Sequence, residues 1–263
     1  MFGIQTVCQQ LGRKQLPEFE RLVDRLVQAT RELGVDVHLN THVARIEQRG
    51  DRVVVHASTG HDSRTFEADM AVHSAGRVPE IDDLDLETAG VTWDKRGVSV
   101  NEYLQSISNP AIYAAGDAVA SGGFPLTPVA GMQGAIVASN LLKGNHRTPD
   151  YRGIPSVVFT VPALAGVGLQ EAAARDQGLR FRTRYEDTST WYASRRVGLR
   201  HSAFKVLVEE DTERILGAHL LGVHAEEVIN LFALAMRTGL HASDLRHMVY
   251  SYPTSSSDVV YML

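Results

Sequence analysis

The first third of the chain changes from helical to strand periodicity at Gly34. Before it, apolar residues recur every three or four positions, which predicts a helix that opens at Leu16-Pro17 and ends at Gly34. Its apolar positions are Phe19, Leu22, Val23, Leu26, Val27 and Leu33. After it, alternating apolar and polar residues predict short strands separated by turns. The predicted strands are 35–39, 42–47, 52–57, 64–66 and a buried strand at 69–75.

The middle third contains short apolar runs followed by a strongly marked helix. Thr127 has the sequence character of an N-cap, Pro128 that of the first helical position, and Gly144 that of a C-terminal stop. The elements predicted before this helix are a loop with a short helix, an edge strand and a buried strand, at 81–91, 98–100 and 111–115. Small side chains form one face of the helix, so a flat group can lie against it: Ala130, Gly131, Gly134, Ala135 and Ala138.

A polar stretch at 145–153 predicts a domain boundary before the last third. Beyond it, β-rich segments precede a helix with an apolar stripe. The predicted strands are 154–160, 179–185 and a hairpin of 202–209 with 214–222, and the predicted helix is 226–238. Strands with helices grouped around them predict an α+β domain.

Composition narrows the function classes. With 263 residues, 44% of them hydrophobic, the chain can bury a substantial core, and its net charge of −5 argues against a nucleic-acid partner. The apolar runs are too short to span a membrane and the start lacks a signal-peptide pattern, so we expect a cytoplasmic protein without a membrane partner. Cys8 is the single cysteine, expected as a buried structural thiol. The eleven histidines are scattered, and no metal site is expected.

Gly116-Asp117 and the helix start at Thr127 suggest a specific chemistry. A carboxylate at a strand end accepts hydrogen bonds from a polyol or ribose, and a helix N-terminus favours anionic atoms. In this order the segments resemble the second FAD-binding segment of the pyridine nucleotide-disulfide oxidoreductases, flavoproteins that include glutathione reductase, dihydrolipoamide dehydrogenase and mercuric reductase. The resemblance implies that Asp117 holds the ribityl chain of FAD and that the helix start meets the flavin. The FAD-binding residues that it implies are Gly116, Asp117, Leu126, Thr127, Pro128, Val129 and Ala130.

The segments on either side extend the resemblance. The order of helix, strands and a GRVP turn is similar to the second half of the family's nicotinamide-binding domain, which makes Gly76 a candidate NAD(P)H contact. Without the family, Gly76-Arg77 is a strand-ending turn with a solvated arginine, and both interpretations stay open. The G-x-G-x-x-G turn that would cradle the pyrophosphate does not precede it, and the residues that discriminate NADH from NADPH follow that missing turn. Residues 155–174 resemble the opening of the family's interface domain, which implies a homodimer through residues 151–263.

The carboxyl-terminal sequence SYPTSSSDVVYML resembles the HPTSSE segment of glutathione reductase-like members. Tyr252 stands at the histidine position and Ser257 at the glutamate position, with Asp258 one place later. Because the His-Glu dyad is missing, reduction of glutathione, trypanothione or lipoamide is not expected. A tyrosine here is similar to mercuric reductases. Tyr252 either donates a proton or contacts substrate at a dimer active site, or packs at the interface.

The sequence therefore predicts an α/β and α+β protein with three parts. These are the second half of an NAD(P)-binding domain at 1–77, the carboxyl-terminal segment of an FAD-binding domain at 78–150, and an interface domain at 151–263. The resemblance implies an FAD-dependent NAD(P)H oxidoreductase with an unidentified acceptor. It covers only the later half of a family member, without the glycine loops and redox cysteines, so this chain alone is expected to be inactive or to need an amino-terminal partner or missing segment. The alternative is a non-catalytic dimerisation module or a truncated remnant, and an unrelated sugar- or nucleotide-binding protein is remote.

Overall fold

The computed structural model describes residues 17–74, 76–122 and 124–263. These residues form two compact units. The first combines the described residues up to Gly76 with Gly153–Leu263, and the second is Arg77–Arg152. Cys8, expected from the sequence to be a buried structural thiol, lies outside the described residues.

The amino-terminal segment is a helix followed by a three-stranded antiparallel meander. The elements are α1 (Pro17–Glu32), β1 (His42–Arg49), β2 (Arg52–Thr59) and β3 (Asp62–Ala68). The strand predicted at 35–39 is wrong, because the N–H groups of Gly34 and Val35 bond back to the last turn of α1 and complete the helix end. The buried strand predicted at 69–75 is also wrong, because residues 69–74 are exposed and form no strand. A strand needs a neighbour for its backbone groups, and no described strand pairs with this segment.

The unit Arg77–Arg152 contains one long helix and little regular sheet. Its elements are β4 (Trp93–Asp94), β5 (Gly97–Val98), a 3-10 turn (Gly116–Ala118) and α2 (Thr127–Lys143). The strand predicted at 98–100 is reduced to β5, and the short helix predicted within 81–91 is replaced by successive turns. The buried strand predicted at 111–115 is wrong. There, only Tyr113 forms a bridge, to Gln105, and the segment is half-buried.

The carboxyl-terminal segment forms a five-stranded antiparallel sheet. Its strands are β6 (Ser156–Val158), β7 (Ala163–Gly168), β8 (Phe181–Asp187), β9 (Ala203–Glu209) and β10 (Ile215–Gly222). Their order in the sheet is β6-β7-β10-β9-β8, and the predicted hairpin of β9 and β10 is confirmed. The helices are α3 (Glu171–Asp176), α4 (Tyr192–Arg196), α5 (Ala225–Thr238), α6 (Ala242–His247) and a 3-10 helix (Ser255–Tyr261).

Helices cover both faces of this sheet. On one face α5 closes the main core, whose fully buried side chains include Phe204, Val206, Ile229 and Phe232. On the other face α1 packs through Leu22 and Leu26 against Leu164, Ala203 and Leu221. The Arg25 guanidinium of α1 pairs with the Asp187 carboxylate and donates to the Tyr185 hydroxyl at 3.2 Å. The amino-terminal helix is therefore an integral layer of the carboxyl-terminal α+β unit.

Candidate functional site

A glycine turn brings Asp117 against the first turn of α2. Gly116 adopts the left-handed backbone conformation, with φ of 71°. A Cβ atom at Gly116 would lie 3.2 Å from the Ala130 Cβ, closer than side chains ordinarily pack. Glycine is therefore required both by the backbone angle and by the close approach. The structure thus brings together two of the predicted segments, Gly116-Asp117 and the start of the helix.

The Asp117 carboxylate is paired with an arginine that sequence reasoning treated as solvated. Arg77 Nη1 lies 3.0 Å from Asp117 Oδ2, and Arg77 Nη2 donates to the Pro125 carbonyl just before α2. Both partners of the ion pair are substantially exposed, at 61% and 40%. An exposed pair is worth only about 0–1 kcal/mol, so hydroxyl groups of a ligand can compete for this carboxylate at low cost.

The start of α2 provides backbone N–H donors. Leu126 is the N-cap and its side chain makes no capping hydrogen bond, so the prediction that Thr127 is the N-cap is wrong by one residue. Thr127 is the first helical residue, and Pro128 follows it. The first-turn N–H groups have no acceptor within a helix, and the helix dipole makes this end positive. Thr127 and Pro128 are exposed, whereas Val129 is 3% exposed and anchors the turn.

The small-residue face of α2 is open. Gly131, Gly134, Ala135 and Ala138 are exposed, and a Cβ atom at either glycine would meet nothing within 4 Å. A carboxylate acceptor, N–H donors at a positive helix end and a flat surface of small side chains fit the ribityl chain and the electron-rich ring edge of a flavin. The residues present therefore fit the group that the resemblance implies.

Sequence reasoning missed Gln133, which is 1% exposed on α2. Its Oε1 accepts the Gly116 N–H at 2.7 Å, and its Nε2 donates to Ser121 Oγ at 3.1 Å and to the Tyr151 hydroxyl at 2.8 Å. One signal was present in the sequence. Val129, Gln133, Ile136 and Asn140 share one helical stripe, and all four are buried. Two amides at this spacing in an apolar helix indicate buried polar contacts.

Gly76 and Tyr252 belong to the other unit. Gly76 has φ of 103° and open space around its Cα, which is the conformation of a glycine turn. Tyr252 is 78% exposed. Thr254 is the N-cap of the final 3-10 helix, and Ser257 completes the capping box by accepting the Thr254 N–H with its hydroxyl oxygen. The Ser257 hydroxyl also donates to the Thr254 carbonyl. Burial raises the pKa of the Asp258 carboxyl.

Within residues 17–74, 76–122 and 124–263, no group of three or more His, Cys, Asp or Glu side chains is arranged to hold a metal ion. No helix within the same residues is long and apolar enough to cross a membrane.

Family models match most of the chain. Residues 6–134 match the model described as pyridine nucleotide-disulphide oxidoreductase. Residues 154–263 match the model of the dimerisation domain of the same family. The second match coincides with the five-stranded sheet and its helices.

Individual relatives agree with these models. The chain is 31% identical to a dihydrolipoyl dehydrogenase of Bacillus subtilis, over 96% of this chain and 54% of that protein. It is 48% identical to an uncharacterized 19.7 kDa protein in a mercuric resistance operon of Staphylococcus aureus, over 68% of this chain and all of that protein. Among solved structures it is similar to the flavoprotein disulfide reductase RclA of Escherichia coli, with a TM-score of 0.80 and 30% identity over 91% of this chain and 53% of that one.

The chain spans about half the length of the dihydrolipoyl dehydrogenase and of RclA. Both of these alignments nevertheless run through nearly all of the present chain, including both units. The two family models, the sequence relatives and the α/β fold agree. The chain therefore belongs to the pyridine nucleotide-disulphide oxidoreductase family.

Proposed function

We propose that this chain is the carboxyl-terminal part of an FAD-dependent NAD(P)H oxidoreductase. A bound FAD would supply the redox chemistry, which is acceptance of a hydride from NAD(P)H and transfer of the electrons to an acceptor. The observation that carries the proposal is the packing of the Gly116-Asp117 turn against the first turn of α2. We assign flavin binding to Gly116, Asp117 and the helix start from Leu126 to Ala130.

The residues of this half-site have separate tasks. The Asp117 carboxylate orients the cofactor by accepting hydrogen bonds from ribityl hydroxyls, and the α2 N-terminus stabilises negative charge at the ring edge. The glycine of the turn lets the backbone come close to the ligand. Gly76 is assigned as an NAD(P)H contact because its turn follows the meander as in the family. The rest of each nucleotide site would come from a segment or partner that carries the glycine loops.

Asp117 tests this assignment directly. Asp117→Ala is expected to weaken FAD binding by about 10- to 100-fold, because a hydrogen bond to a charged group contributes about 1.5–3 kcal/mol. The affinity is measured by titrating FAD with the protein and following the quenching of flavin fluorescence. The flavin absorbance that the protein retains after gel filtration gives a second measure of binding. Asp94→Asn is the matched control, since Asp94 is a partly exposed carboxylate of the same unit that pairs with Arg96 in the β4-β5 hairpin. Wild-type protein that retains no FAD would contradict the proposal.

A specific observation favours the alternative of a non-catalytic dimerisation module. The chain aligns with the whole of the short 19.7 kDa relative. The family's dimerisation domain is present, and in this chain its sheet is covered on both faces. A chain that forms a stable dimer and retains no flavin would support this second function.

Substitutions at Tyr252 distinguish the two roles that the sequence left open, which are proton donation or substrate contact at a dimer active site and packing at the interface. Val249, three positions before it, is 93% exposed, so this carboxyl-terminal segment has apolar side chains available for an interface. If Tyr252 packs at that interface, Tyr252→Asp dissociates the dimer in sedimentation velocity and Tyr252→Phe leaves it intact. If both variants stay dimeric, the packing role is wrong and the hydroxyl is left as the functional group.

A further inference from the structure

The amide of Gln133 connects three separate chain segments beneath the proposed half-site. It is 1% exposed and uses its acceptor and both of its donor hydrogens. The partners are the Gly116 N–H, Ser121 Oγ and the Tyr151 hydroxyl. Since a backbone N–H can only donate, Oε1 must face Gly116, and the amide orientation follows from chemistry.

This contact sets where Asp117 lies on the helix. The Cα of Gly116 faces Ala130 so closely that an added Cβ would lie 3.2 Å from the Ala130 Cβ, and the Gly116 N–H donates to Gln133. Ala130 and Gln133 are three residues apart, on the same side of α2. The turn is thus attached at two successive levels of the helix, and the residue after Gly116 is Asp117. Moving the Gln133 contact would move the carboxylate relative to the helix N-terminus.

We propose that Gln133 is a positioning residue for flavin binding, which acts by fixing the Gly116-Asp117 turn against α2. The inference rests on the proposed function and deepens it. Gln133 itself is buried beneath the turn, so it acts through Asp117. Ser121 and Tyr151 hold the amide and thereby link the half-site to two segments of the same unit.

Asn140 offers a matched control on the same buried stripe. It is also 1% exposed, and its amide makes four hydrogen bonds. Its Nδ2 donates to the Tyr103 and Arg147 carbonyls, and its Oδ1 accepts the N–H groups of His146 and Arg147. None of these contacts involves the Gly116-Asp117 turn. Asn140→Leu should destabilise the helix environment without displacing Asp117.

The test compares Gln133→Leu, Gln133→Glu and Asn140→Leu in the full chain with FAD as the probe. Gln133→Leu leaves the Gly116 N–H unpaired and is expected to weaken FAD binding about tenfold. The absorption bands of the residual bound flavin should shift towards those of free FAD. Gln133→Glu is expected to bind within about threefold of wild type, because its carboxylate accepts from the Gly116 N–H and from both hydroxyls. Asn140→Leu should lower the thermal midpoint but bind FAD within about threefold of wild type.

Hydrogen exchange of the flavin-free chain supplies an independent readout. Gln133→Leu should accelerate exchange in residues 114–121, whereas Asn140→Leu should do so in residues 144–148. Flavin affinity that is unchanged in Gln133→Leu, or equally reduced in Asn140→Leu, would overturn the positioning role. A wild-type chain that binds no FAD overturns both the proposed function and the role of Gln133 in flavin binding. Separately, unchanged hydrogen exchange at residues 114–121 in Gln133→Leu shows that Gln133 does not hold the turn.

Discussion

The helices α2 and α5 differ in the kind of side chain that they bury. α5 buries an entirely apolar set of side chains against the five-stranded sheet: Ala225, Val228, Ile229, Phe232, Ala233 and Ala235. α2 is apolar over most of its length, yet two of its four buried residues are the amides Gln133 and Asn140. Its outward side carries Leu141 and Leu142, which are 59% and 84% exposed.

The two helices therefore differ in how much of their apolar surface their own unit covers. α5 is amphipathic and buries its apolar face within its unit, while polar residues such as Glu227 and Asn230 are exposed. A helix that is hydrophobic all round is ordinarily buried all round. α2 is apolar over most of its length, yet its small and apolar side is uncovered within Arg77–Arg152. Two of the four buried residues of α2, Gln133 and Asn140, make polar and directional contacts. The packing of α5 therefore rests on apolar burial, whereas the packing of α2 combines apolar burial with directional hydrogen bonds.

The largest expected effect is at the centre of the α5 core. Phe232 is fully buried, and Phe232→Ala should lower the free energy of unfolding of its unit by about 3–5 kcal/mol through lost burial and a cavity. The two tryptophans, Trp93 and Trp191, lie in different units. In variants that keep only one of them, tryptophan fluorescence therefore reports the urea-induced unfolding of one unit at a time. Trp93 fluorescence should report an almost unchanged midpoint. A loss below about 1 kcal/mol would show that α5 does not close the core as described.

The next largest effect is expected from acid, which should lower the free energy of unfolding of the same unit. Burial, together with the positive charge of the nearby Lys205, lowers the pKa of His219 to about 4. Lys205 is itself ion-paired with Glu171 at 2.6 Å. Between pH 4 and 6.5 the unfolded chain binds a proton that the folded imidazole does not. The free energy of unfolding should therefore fall by about 3 kcal/mol as the pH drops from 7 to 4. Urea titrations of Trp191 fluorescence measure the slope, and His219→Gln should flatten it.

The smallest effect is expected on the outward side of α2. Leu142→Ser should change the free energy of unfolding by less than about 0.5 kcal/mol, because the side chain is 84% exposed. The same change should reduce concentration-dependent association in sedimentation velocity, since it removes an exposed apolar group. A clearly destabilised variant would mean that this side of α2 is already covered in the protein.

The sequence predicted helices and local hairpins better than isolated strands. α2 and α5 were predicted within one residue of their ends because periodicity and glycine stops are local signals. The strands predicted at 69–75 and 111–115 failed because an apolar run does not specify a partner strand, and pairing depends on distant segments.

The candidate site was predicted unevenly for a related reason. Gly116 and Asp117 could be proposed because a short motif carries them. Gln133 was missed because its burial depends on Ser121 and Tyr151, which come from other segments of the unit. Arg77 was missed as a partner of Asp117 because the two residues lie forty positions apart. Local patterns identify a functional group, whereas its surroundings require the folded chain.

The layer that α1 adds to the carboxyl-terminal sheet has a consequence for the order of folding. Arg25 and Asp187 are 162 positions apart in sequence, so their unit closes through contacts of very long range. Such contacts form slowly, and on the ribosome they wait until the later strands have emerged. The unit Arg77–Arg152 is continuous in sequence and can form earlier. During synthesis α1 is therefore an amphipathic helix that waits for its sheet, a segment on which a chaperone would be expected to act.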